Sequence, residues 1–133
     1  MKIIFVCTGN TCRSPLAESY AKTVHDDKTY ESRGIMVVSD VVSRESLRII
    51  HDEQLATASL PEQLSASDIE DSLLLTMTEQ HKMYIKHMYK NANVMTLSEH
   101  VIGETRDVSD PYGGPGAAYD AVYTELKNYI DQL

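Results

Sequence analysis

The feature that most constrains this chain is how it opens. The apolar run Ile3-Ile4-Phe5-Val6-Cys7 passes straight into the polar stretch Thr8–Arg13 and then into Ser14-Pro15. A run that is apolar at every position has no solvent face, so it reads as a strand covered on both sides. Ser14-Pro15 reads as a helix N-cap followed by proline at the first helical position. A buried strand that feeds a polar loop and then a helix is the first half of a parallel α/β unit.

The rest of the chain repeats that alternation. Helical spacing of Leu16, Ala17, Tyr20, Ala21 and Val24 predicts a helix that Asp26-Asp27 ends. Residues 29–38 predict a second strand, broken at Gly34. Ser43 is positioned to cap a helix with Leu47, Ile50 and Leu55 turned inward. Residues 61–71 predict mostly loop, with a short helical turn from Ser67. The run 73–77 predicts a third strand. Thr78 then caps a helix through Lys90 whose inner stripe is Tyr84, Ile85, Met88 and Tyr89. Residues 93–97 predict a fourth strand, followed by a helical turn at 99–102 and a turn-rich loop from Asp107 to Gly116. Val122, Leu126, Ile130 and Leu133 mark a last amphipathic helix. Strands alternating with helices imply an α/β domain with a parallel sheet and helices on both faces.

At 133 residues the chain fits one domain, 1–133, with no linker or internal repeat. No apolar run is long enough to span a membrane, and the opening lacks the small-residue cleavage site of a signal peptide. A cytoplasmic protein is expected. The net charge of −8 opposes a general role in nucleic-acid binding. The five histidines show no helical i, i+4 pairing and no cysteine partner at ligand spacing, so no metal and no cofactor is expected.

In open parallel sheets, ligands bind beyond the carboxyl ends of the strands. This directs attention to the loop Cys7-Thr8-Gly9-Asn10-Thr11-Cys12-Arg13-Ser14. Successive backbone N–H groups there can form a nest, and the helix N-terminus adds positive potential. A phosphate-sized dianion fits such a cradle, and Arg13 can grip two of its oxygens. Gly9 is expected to supply a positive φ or a close approach, and Asn10 to lock the loop through its side chain. The same positive groups favour the thiolate of Cys7. Ser14 can donate to its sulfur, which leaves a nucleophile facing a bound phosphoryl group. The bland alternative is a small buried cysteine in an ordinary β–α connection, but Cys-x5-Arg-Ser-Pro between a strand and a helix is far more specific. Cys7 and Cys12 are also close enough in sequence for a tight loop to join them in a reversible disulfide.

CTGNTCRSP resembles the active-site loop of the low-molecular-weight protein tyrosine phosphatase family. The likeness continues through Ser32-x-Gly34, Leu75-Thr76-Met77 and Asp110-Pro111-Tyr112, and so covers nearly the whole chain. It implies a flavodoxin-like three-layer fold on a four-stranded parallel sheet, and catalysis through a phosphocysteine. It makes Cys7 the nucleophile, Arg13 the phosphate clamp and Asp110 the general acid, with Tyr112 lining the cleft. Phosphorylated proteins would be the partners, and inorganic phosphate or vanadate would inhibit. From its surroundings alone Asp110 reads rather as a turn aspartate, and it is the family likeness that reverses this; Asp107, with no proline after it, is the weaker competitor for the acid role.

Two departures bear on the substrate. Tyrosine phosphatases of this family usually carry Ile or Leu where this chain has Thr11, and often a second aromatic where it has Gly113-Gly114. The pair of features resembles the bacterial protein-arginine phosphatase subgroup. A planar, cationic phosphoarginine calls for hydrogen-bond partners, which Thr11 and Asp110 can offer. The alternatives are a tyrosine phosphatase of the same family, an arsenate reductase, and a non-catalytic phosphate-binding module. The absence of any cysteine after Cys12 opposes the reductase, and the presence of both Cys7 and Asp110 opposes the silent module. Arg33, between Ser32 and Gly34, is expected to be solvated, and Met83 and Met88 to pack in the core.

Overall fold

The computed structural model describes all 133 residues. The elements run β1 (Lys2–Cys7), α1 (Arg13–Val24), β2 (Thr29–Gly34), α2 (Arg44–Asp52), α3 (Ala66–Ile69), β3 (Ser72–Thr76), α4 (Glu79–Met88), β4 (Val94–Thr96), α5 (Leu97–Ile102) and α6 (Gly116–Ile130). The four strands form one parallel sheet in the order β2-β1-β3-β4. β1 lies inside the sheet, which explains its unbroken apolar run: alternate residues feed opposite cores. Ile3 and Phe5 join Leu16, Ile49, Leu97 and Leu126, so α1, α2, α5 and α6 cover one face. Ile4 and Val6 join Leu64, Leu74, Ile85 and Val94 on the other face, beneath α4. No helix is long and apolar enough to cross a membrane.

Several sequence expectations shift in the structure. Helix α1 begins two residues early, with Cys12 at the cap position and no side-chain cap bond. Ser14 is turned inward and does not cap. β2 stops at Gly34, where a Cβ would meet the Thr8 carbonyl oxygen at 2.8 Å. Only glycine lets the strand pass that close to the loop. The inward stripe of α2 is Ser46, Ile49 and Ile50, while Leu47 is exposed. In α4 the buried positions are His81 and Ile85; Met83, Tyr84 and Met88 face solvent. Apolar residues at helical spacing define two possible stripes when polar neighbours such as Ser46 and His81 can also be buried. The short helix α3 is capped by Ser65, with Asp68 completing a capping box. Thr96 ends β4 and caps α5, with Glu99 answering in a second box.

Arg33 is buried, not solvated. Its guanidinium meets Glu31 at 2.6 Å, Glu62 at 3.1 Å and Asp68 at 3.2 Å. An arginine inside a domain is tolerable only with such partners. Here they tie the long connection after α2 to the edge strand β2.

Candidate active site

Cys7 is the last residue of β1 and is almost fully buried beneath the loop that follows. The Ser14 hydroxyl lies 2.9 Å from its sulfur. That hydroxyl already accepts from the Asn10 amide at 2.8 Å, so its own hydrogen is free to donate to the sulfur. Asn10 is itself held, because its side-chain oxygen accepts from the Glu62 backbone N–H at 2.9 Å. Asn10, and not Gly9, takes the left-handed backbone, with φ 57°. Asparagine is among the few residues that tolerate this region.

Arg13 opens α1 with its guanidinium buried, donating to the Val108 carbonyl at 3.0 Å. Its other terminal nitrogen lies 3.6 Å from the Asp110 carboxylate. That carboxylate is 58% exposed and accepts from the Tyr112 N–H at 3.1 Å. The segment is anchored at the end of β3, where the Val108 N–H donates to the Met77 carbonyl at 2.8 Å. Asp107 is otherwise engaged: it accepts from the Glu79 N–H at 2.9 Å, at the start of α4. Asp110 is therefore the carboxylate aimed at Arg13.

A cavity of about 520 Å³ opens above the loop. Thr8, Gly9, Thr11, Asp110 and Tyr112 line it together with a wall from residues 36–44. The side chains of Asn10, Cys12 and Ser14 sit beneath it and brace the loop. The Cys12 sulfur lies 3.6 Å from the Thr11 hydroxyl and 3.6 Å from the phenol of Tyr119, and both cysteines are free thiols. Burial and the contact with Cys12 push the Tyr119 phenol up to about 12. No group of three or more His, Cys, Asp or Glu side chains is placed to hold a metal ion.

Sequence reasoning missed His81, which lies under the same loop. Its Nε2 shares a 2.9 Å hydrogen bond with the Thr8 hydroxyl, and its Nδ1 is buried without a partner. Burial first, and then the charge of Arg13, lower its pKa to about 4, against an opposing pull from Asp107 and Asp110. The ring is neutral near pH 7 and orients Thr8 without adding charge. The available signal was position: His81 lies in the first turn of the helix that follows β3, the strand beside β1. Glu62 gave no signal, because its backbone makes the contact with Asn10.

A thiol at the end of an inner strand, under an anion-sized loop closed by a buried arginine, places the chain in the class of cysteine-based phosphatases. Comparison with known proteins narrows the class. The model of the low molecular weight phosphotyrosine protein phosphatase family matches residues 2–133, and the chain belongs to that family. The low molecular weight protein-tyrosine-phosphatase PtpB of Staphylococcus aureus is 44% identical over all of this chain and 96% of its own length. The YwlE arginine phosphatase of Geobacillus stearothermophilus superposes with a TM-score of 0.93 at 32% identity, over 98% of this chain and 88% of that one. A YwlE mutant with a phosphorylated active-site serine gives 0.94 at 32% identity, over 99% and 92% of the two chains. The protein is thus a protein phosphatase with bacterial relatives.

Proposed function

We propose that the protein removes phosphate from phosphoarginine in proteins by way of a phosphocysteine on Cys7. The Cys7 thiolate attacks phosphorus, and the P–N bond breaks as Asp110 gives its proton to the departing guanidinium nitrogen. Arg13 and the loop N–H groups hold the phosphoryl oxygens as charge moves among them. A water then attacks the phosphocysteine while Asp110 takes its proton back, releasing inorganic phosphate and the thiolate. Ser14 steadies the sulfur in both halves. Phosphate as product, and vanadate as its analogue, occupy the same cradle.

The observation that carries the arginine reading is the cavity's mouth, where Thr11 and Asp110 line one space and Tyr112 is the only aromatic lining residue. Both polar groups suit a planar cation. The structural likeness to proteins described as arginine phosphatases supports this choice. Dephosphorylation of phosphotyrosine is the second reading, favoured by the name of the curated relatives and by the apolar side of the cavity.

The deciding experiment compares kcat/KM on phosphoarginine and phosphotyrosine peptides for the wild type and Thr11→Ile. A site that hydrogen-bonds its substrate loses more than a site that merely packs around it. Wild type is expected to prefer phosphoarginine, and Thr11→Ile to lose that preference by at least about tenfold. A wild-type preference for phosphotyrosine establishes the second reading.

A further inference from the structure

We propose that the aliphatic wall of the cavity, formed by Met36, Val38 and Val41, binds an apolar residue that neighbours the phosphorylated one in the substrate chain. The proposal rests on the phosphatase reading and adds a sequence preference to it.

Three observations point to this wall. Val38 is 90% exposed, Met36 65% and Val41 58%, and all three line the same cavity as Thr11 and Asp110. Single exposed apolar residues are ordinary, but a cluster on one side of a functional cleft is a mark of recognition. The segment that carries them is also fixed to the loop below. The Met36 N–H donates to the Thr8 carbonyl at 2.9 Å, and the Ser43 N–H to the Thr11 carbonyl at 2.8 Å. Between these points the Val37 N–H donates to the Gln63 side chain at 2.9 Å. The apolar groups are therefore held at a set position relative to Cys7, so a ligand meets them without first ordering the segment.

The third observation is size and charge. Pockets of roughly 300–1,000 Å³ take whole drug-sized ligands, and a single phosphorylated side chain leaves much of a 520 Å³ cavity empty. A chain with net charge −8 could select basic flanking residues by its overall field. Yet the only charged lining groups are Asp110, already committed to the reaction, and Arg44. The wall beyond the phosphoryl group carries the methyl groups of Val38, Val41 and Val42 and the thioether of Met36 beside Ser39, Ser43 and Arg44, and these apolar groups reward burial of aliphatic surface.

The test uses the full chain and two peptide pairs, one with phosphoarginine and one with phosphotyrosine. Within each pair the residues flanking the phosphorylated position are Leu or Ser. A small aryl phosphate reports whether the enzyme turns over at all. With the phospho-residue that is turned over faster, the Leu-flanked peptide is expected to give about tenfold higher kcat/KM than the Ser-flanked one. That ratio should fall toward one in the double variant Val38→Ser, Val41→Ser. Equal rates for the two flanks in the wild type overturn the proposal, as does a preference that survives in the variant. A faster phosphotyrosine pair with the flank preference intact corrects the substrate reading alone. No turnover of the aryl phosphate removes both.

Discussion

The floor and the mouth of the cavity are built on opposite plans. In the floor most functional groups are buried and engaged, with Ser14 on Cys7, Asn10 on Ser14, Glu62 on Asn10, His81 on Thr8 and Val108 on Arg13; only Thr8 and Glu62 are exposed, and His81 Nδ1 has no partner. At the mouth, Val38, Tyr112 and Asp110 stand largely in solvent, and Val38 and Tyr112 support nothing in the core. Buried polar groups are costly to disturb, because a lost partner strands the one left behind. Exposed side chains can change at little structural cost. On the proposed mechanism the nucleophile and the phosphate clamp belong to the core and the choice of substrate to the rim, which suits a family whose relatives are named for different phospho-residues.

The sharpest way to break the floor is at its centre. Cys7→Ser is expected to lower turnover by about 10⁴-fold or more while the chain still binds vanadate, since the cradle is untouched. Near-normal turnover by this variant sinks the thiol mechanism. Next comes Asp110, the one group of the proposed mechanism that belongs to the mouth. Asp110→Asn should cost roughly 10²–10⁴-fold on substrates with poor leaving groups and much less on an activated aryl phosphate. A uniform loss across leaving groups would instead assign Asp110 to structure.

A milder probe is Ser14→Ala, which removes the hydroxyl beside the sulfur. A hydrogen bond to a charged group is worth about 1.5–3 kcal/mol, so kcat should fall about tenfold or somewhat more. Vanadate binding should be kept, because the sulfur and not the phosphate cradle has lost a donor. A matching loss of vanadate binding would show that Ser14 only braces the loop through Asn10. The smallest effect concerns His81 and is one of stability. Its folded pKa of about 4 lies below the ordinary 6.5. As pH falls from about 6.5 toward 4, the unfolded chain takes up a proton that the folded chain refuses, and stability declines. His81→Gln should flatten urea-unfolding midpoints across that window, and an unchanged slope would place the titration elsewhere.

The sheet and its helices are legible because they rest on local signals, unbroken apolar runs and caps at Ser43 and Thr78, whereas the Ser14-Pro15 start misplaces the first turn of α1. Asp110 became legible through family likeness, and the structure separates it from Asp107 by giving the latter to α4. What stayed hidden depends on distance in sequence. Arg33 is buried only because Asp68 and Glu62 fold back over it. His81 reads as any surface histidine until β3 brings it beneath Thr8. Gly9 was credited with the left-handed turn that Asn10 performs, because Asn10 gains a partner in Glu62 that no local rule reveals.

The sheet order β2-β1-β3-β4 also sets a timetable. Cys7 and Arg13 leave the ribosome before the distant groups that hold their loop: Gly34, Glu62, His81, Val108 and finally Asp110. A parallel sheet with its first strand inside can close only when distant segments return to it, which makes such topologies slow to complete. The loop is thus synthesised well ahead of the segments that complete it. A nascent chain displays Cys7 and Arg13 without the buried scaffold around them, so the catalysis proposed for the pair must wait until the fold is finished.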